Sequence, residues 1–149
     1  MAARRFSVLA FGLAAWAASS AVHALDYLSL AEAAPAYDAP SAKAKPLFVV
    51  LAGTPVELVV GLDGWSKVRD SRGELIWIDK KHLTDKRHVI VRVERAQVRA
   101  AAEDQAVLVF EAERDVVLEF VEAIPGGWVK VRHRDGQSGF LKLSQVWGL

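Results

Sequence analysis

The chain contains no cysteine. That excludes disulfides, thiol nucleophiles, thiolate metal sites and a lipid-bearing cysteine behind a leader, so stability must come from packing alone. An exported protein without such staples fits a bacterial envelope, since oxidising compartments permit disulfides without requiring them. The chain also lacks a charge excess. Nineteen basic side chains face 18 acidic ones, and without Arg4 and Arg5 the balance tips to one acidic residue in excess. A nucleic-acid partner leaves a basic patch or stripe, and positions 25–87, with nine residues of each sign, show none. No stretch beyond residue 25 keeps apolar residues at a 3.6-residue period for the length of a helix.

The one long apolar run is at the N-terminus. Arg4 and Arg5 precede Phe6–Ala18, which carries no charge, and Val22-His23-Ala24 places small residues at the two cleavage-determining positions. This is the pattern of a secretory signal peptide, residues 1–24, cleaved after Ala24. The run is short of the roughly 20 apolar residues of a spanning helix, so no stable membrane span is expected after cleavage.

From Asp26 onward apolar residues alternate with polar ones and turn residues recur, which predicts an all-β protein. Strands are expected near Tyr27–Ala31, Phe48–Leu51, Val56–Gly61, Trp65–Asp70 and Leu75–Asp79, then near Val89–Val93, Val107–Phe110, Val116–Ala123, Trp128–His133 and Ser138–Leu141. Short helical turns follow at Lys80–Leu83 and Ser144–Val146. The order repeats because the sequence does. Gly64-Trp65-Ser66-Lys67-Val68-Arg69 returns 63 residues later as Gly127-Trp128-Val129-Lys130-Val131-Arg132, followed by Gly73 and Gly136 at the same distance. Two tandem modules are expected, residues 25–83 and 88–149, joined by 84–87. Modules of about 60 residues bury only about 60% of their unfolded surface and are marginal alone. Thr84-Asp85-Lys86-Arg87 reaches at most about 14 Å, so the modules should touch. Trp147, without a counterpart in the first copy, is expected between them.

These residues resemble the bacterial Src homology 3 domain. In the second copy Gln97-Val98-Arg99 is similar to the opening motif, Gly127-Trp128-Val129-Lys130-Val131 to the central one, and Asp135-Gly136-Gln137-Ser138-Gly139-Phe140-Leu141 to the closing one. The first copy departs from the pattern: Ala36-Tyr37-Asp38 stands for Gln97-Val98-Arg99, and Leu75-Ile76-Trp77-Ile78 lacks the glycine before its aromatic residue. The resemblance implies two small, partly open barrels of five strands. It also implies binding rather than catalysis, with peptidoglycan or a periplasmic protein as partner, no cofactor, and an exported, envelope location. The second copy reaches Val146 of 149 residues, so no catalytic domain is expected beside it.

Alternation puts Trp65, Lys67 and Arg69 on one face of their strand and Ser66 and Val68 on the other. Val68 and Val131 must point inward, because burying Lys67 and Lys130 would strand unpaired charges. Trp65, Lys67 and Arg69, with Tyr37, and Trp128, Lys130 and Arg132 are therefore the candidate ligand-binding residues. Aromatic side chains would lie flat on a peptide or sugar ring while the cations meet a carboxylate. The alternative is that each indole covers its own barrel or packs between modules, leaving a scaffold or oligomer subunit without a ligand groove. Trp77 and Phe140, among aliphatic neighbours, are expected in the core. Glu111, Glu113, Asp115, Glu119 and Glu122 follow one hairpin and suit a solvated edge better than a metal site. His133, Asp135 and Ser138 straddle one exposed turn, where nothing excludes water, so no catalytic triad is expected.

Overall fold

The computed structural model describes residues 25–149, and the expected leader, residues 1–24, lies outside them. Among the described residues the chain is all-β, with two single turns of 3-10 helix at Lys80–His82 and Leu143–Gln145.

The first module has strands β1 (Tyr27–Leu30), β2 (Ala34–Tyr37), β3 (Pro46–Val50), β4 (Pro55–Gly61), β5 (Trp65–Arg69), β6 (Leu75–Asp79) and β7 (Leu83–Thr84). The second has β8 (His88–Val91), β9 (Arg95–Arg99), β10 (Leu108–Glu113), β11 (Val117–Ile124), β12 (Trp128–Arg132), β13 (Ser138–Lys142) and β14 (Val146–Trp147). Each forms one seven-stranded sheet, ordered β3-β2-β6-β5-β4-β1-β7 and β10-β9-β13-β12-β11-β8-β14. The topologies are identical. The outermost strands of each sheet do not pair with one another, so each barrel stays open.

The sheet curls around one face. Leu30, Val56, Val68, Ile76 and Ile78 fill the first core, and Val89, Val98, Leu118, Val129, Val131 and Leu141 the second. Val68 and Val131 are fully buried, as their parity requires, and Ser66 and Val129 share that inner face. Gly64 and Gly127 precede the central strands at φ 74° and 83°, a left-handed conformation that glycine adopts without steric cost.

Four strands lie outside the expected set, β2, β9 and the short β7 and β14. Ala-Pro-Ala-Tyr and Arg-Ala-Gln-Val-Arg carry few β-branched residues, and pairing with β3 and β10 makes them strands. Thr84, expected in the linker, pairs with Ser29. The ladder also corrects the alignment of the copies. Tyr37 pairs with Trp77, and Arg99 with Phe140; Arg99 therefore stands where Tyr37 stands, one residue from the match drawn by sequence.

The modules touch through aromatic and basic side chains. The Trp147 ring meets Tyr27 edge-on, with centroids 5.1 Å apart at 86°. Arg87 lies over both Tyr27 and Phe120, at 5.9 and 5.5 Å, and donates to the Gly148 carbonyl at 3.1 Å. Gly148 admits no side chain, since a Cβ would sit 2.8 Å from the His88 carbonyl oxygen and 3.0 Å from Pro55. Burial in this contact, more than the nearby Glu57 carboxylate, raises the Tyr27 phenol above its ordinary value, and burial also lowers the His88 imidazole.

Candidate functional site

The outer face of the first sheet gathers four of its large side chains. Directly opposed residues of an antiparallel pair share a face, so the pairings Tyr37–Trp77, Lys67–Trp77 and Trp65–Asp79 place these four and Asp79 outward. The Tyr37 and Trp65 rings meet edge to face, with centroids 5.5 Å apart at 85°. Lys67 Nζ lies 5.8 Å from the Trp77 ring, within reach of a cation–π attraction. Tyr37, Trp65, Lys67 and Trp77 are each half-buried, packed against one another yet open to solvent. Asp79 closes one end. The Lys81 amide, and then its ammonium, hold the Asp79 carboxyl below its ordinary value.

Trp77 is thus not a core residue. Its neighbours Ile76 and Ile78 point inward and are 1% and 0% exposed, and strand parity sends Trp77 the other way. Phe140 follows for the same reason, between Gly139 and Leu141.

The second face is built on the same plan with different chemistry. Phe140 lies between Arg99 and Lys130 in the ladder, and Trp128 is opposite Lys142. Lys130 and Lys142 approach the Phe140 and Trp128 rings at 5.8 and 5.7 Å. Arg99 donates to the Ala106 carbonyl at 2.8 Å and to Gln97, so its guanidinium is held in place without being neutralised. Lys142 pairs with Asp104 at 2.6 Å, and Glu122 stands opposite Lys130. An aromatic cluster in the first module becomes a mixed field of charges and rings in the second.

Arg69 and Arg132 do not join these clusters. Four residues along a strand span about 13 Å, which puts each arginine at the far end from its tryptophan. Arg69 also meets both oxygens of Glu57, at 3.0 and 2.8 Å, and the Glu57 side chain is only 11% exposed. This is a structural clasp. Arg132 faces Glu119 more loosely, at 3.9 Å, and lines the space between the modules.

That space is a cleft of about 920 Å³. Phe48–Thr54 and the turn at Asp70–Arg72 form one wall, and Val117, Glu119 and Arg132–Arg134 the other. On the second wall, bonds from the Gln137 amide and side chain, then from His133, pull the Asp135 carboxyl down to about 2. Asp135 organises its turn in this way, with His133 Nδ1 at 3.0 Å. Among the described residues no group of three or more histidine or acidic side chains could hold a metal ion. No helix there is long and apolar enough to cross a membrane.

Trp77, Phe140, Arg99 and Lys142 were not among the residues singled out by sequence for binding. The signal for the first two was present, in the inward parity of Ile76, Ile78 and Leu141. The other two needed the strand register.

No curated protein matches the sequence. Among solved structures the chain is similar to NlpC2 from Trichomonas vaginalis, at 13% identity and TM-score 0.39, over 83% of this chain and 48% of that one. It is likewise similar to NlpC1 from the same organism, at 16% and 0.39 over 87% and 48%. An NlpC/P60 family protein from Bacillus cereus ATCC 10987 aligns at 16% and 0.36 over 80% and 55%. The chain spans about half the length of these structures. The family described as bacterial SH3 domain matches twice, over residues 31–85 and 92–148. With two matches covering most of its length, each on one of the two sheets, the chain belongs to the bacterial SH3 domain family.

Proposed function

We propose that this is an exported, non-enzymatic binding protein of the bacterial envelope, engaging peptidoglycan or a periplasmic protein through the outer faces of its two barrels. The supporting observation is the cluster of Tyr37, Trp65 and Trp77 beside Lys67, half-open to solvent. Flat amphipathic rings suit a sugar ring or an extended peptide, and an adjacent cation suits its carboxylate. Membership of a family of binding modules points the same way.

The scaffold alternative loses ground on one point. The aromatic residues used between the modules are Tyr27, Phe120 and Trp147, so the faces of Trp65 and Trp128 remain available. The non-enzymatic reading is supported at the turn of His133, Asp135 and Ser138. There Asp135 divides its oxygens between Gln137 and His133, but Ser138 is exposed, and catalysis needs a sheltered, positioned nucleophile.

The test is retention on purified peptidoglycan sacculi. We expect the wild type to be retained and Trp65→Ala to lose retention while its melting transition stays intact. A wild type that washes through removes the wall-binding form and leaves a protein partner. Release of muramyl peptides by the pure protein would overturn the non-enzymatic reading.

A further inference from the structure

Each sheet ends on the second arm of a hairpin, β3 in one module and β10 in the other. An edge strand presents unpaired backbone groups and is normally guarded by charge, proline or a bulge. β10 is guarded. Glu111 and Glu113 are exposed along it, Arg95 pairs with Glu111, and its register shifts between Leu108 and Phe110.

β3 begins at Pro46 and has a like bulge, its register shifting between Ala36 and Tyr37, but it has no such charge. From Pro46 to Val56 the sequence carries no charged residue, and Leu47, Val49 and Leu51 are 43%, 62% and 68% exposed. Pro35, opposite Val49, has no N–H, so this pair cannot exchange hydrogen bonds. Antiparallel pairs alternate between bonded and non-bonded; Val49 therefore turns its own N–H and C=O to the open edge. Val49 and Leu51 also line the cleft between the modules, whose volume of about 920 Å³ admits a single extended segment.

The charges of the cleft are mostly spent. Lys86 and Arg132 flank Glu119 at 3.3 and 3.9 Å, and Arg72 meets Asp70 at 3.1 Å. Arg134 and Asp115 have no ion-pair partner among the described residues.

We propose that the edge of β3 takes an extended segment of a partner protein as an added strand. The segment is aliphatic at alternate positions, with an acidic side chain for Arg134 and a basic one for Asp115. Backbone bonds to Val49 supply affinity, and the stripe of Val49 and Leu51 selects the side chains. A second copy of this chain fits less well. Its own β3 offers no acidic residue from 46 to 56 to meet Arg134, and it would bring a whole sheet into a space sized for one strand.

The test uses the full chain and a labelled synthetic peptide alternating valine and threonine, with glutamate at one end and lysine at the other, followed by fluorescence anisotropy. The wild type should bind saturably. Val49→Lys should weaken binding about tenfold, and so should a proline at the centre of the peptide, which deletes a backbone donor. Arg134→Glu should weaken it less and recover with a peptide carrying lysine at both ends. Should Val49→Lys shift the melting transition, Leu51→Lys takes its place. No saturable binding by the wild type, or equal binding by the lysine variant and the proline peptide, overturns the proposal. A wild-type dimer that Val49→Lys converts to monomer in sedimentation also overturns it, by giving the edge to a second copy. Retention on sacculi should be unchanged by Val49→Lys, which separates this edge from the aromatic faces.

Discussion

At one position the two modules fill their cores in opposite ways. Ile76 on β6 is 1% exposed and contributes a large side chain, while the equivalent Gly139 on β13 contributes none. Across the ladder the sizes reverse, with Ala36 on β2 against Val98 on β9, both fully buried. In the second module Val98 and the Arg99 backbone occupy the space, so a Cβ on Gly139 would lie 2.6 Å from the Arg99 carbonyl oxygen and 2.7 Å from Val98 Cγ1. Duplication has thus fixed topology and outward parity, while volume has been redistributed between neighbouring strands. A core accepts such exchanges when total volume is nearly kept.

The largest effect expected from breaking this arrangement is in the first module. Ile76→Gly removes a whole buried side chain and should lower the unfolding free energy by about 4 kcal/mol. Adding Ala36→Val should restore about 1 kcal/mol, since it moves the pair toward the solution of the second module. Denaturant titration measures both, and no restoration would mean that the exchange is not compensatory. Next is the contact between modules. Trp147→Ala should cost about 3 kcal/mol and split or broaden the calorimetric transition, whereas a single sharp transition would show that the Tyr27 contact does not couple the halves.

Gly139→Ala should cost about 2 kcal/mol, because the obstacle is backbone rather than a movable side chain. A neutral result in the same titration would place the Arg99 strand farther away. For binding to sacculi, Trp65→Ala should cost about 2 kcal/mol and Trp128→Ala about half that, given that only Trp65 is braced by a second ring. Equal losses would make the faces equivalent.

The smallest effect concerns pH. His88 is held below its ordinary value of 6.5 by burial, so the unfolded chain binds the proton more readily. The stability from keeping His88 neutral is full above 6.5 and is lost as pH falls below it. A melting temperature that declines from pH 7 toward pH 5, and less so in His88→Gln, is expected.

Much of this is legible in the sequence. The paired Gly-Trp-x-Lys-Val-Arg motifs located two modules, and the cost of burying Lys67 and Lys130 oriented Val68 and Val131 correctly. What was not legible depended on register. The aliphatic neighbours of Trp77 point to the core, although its parity matches that of Lys67. The motifs match Tyr37 to Val98 rather than Arg99, since the preceding segments differ by a residue. The commitment of Arg69 to Glu57 requires knowing which strands adjoin, and so does the exposure of β3, because nothing local marks a strand as outermost.

Arg87 belongs to the connection between the modules, yet its guanidinium is clamped over Tyr27 on one side and Phe120 on the other. A connection held this way makes the spacing of the two aromatic faces a constant. If both faces bind as proposed, their constant spacing acts as a ruler. A polymer whose repeating units fall at that interval would then engage both and gain avidity through effective concentration, and one with another period would be held by a single module at its bare affinity.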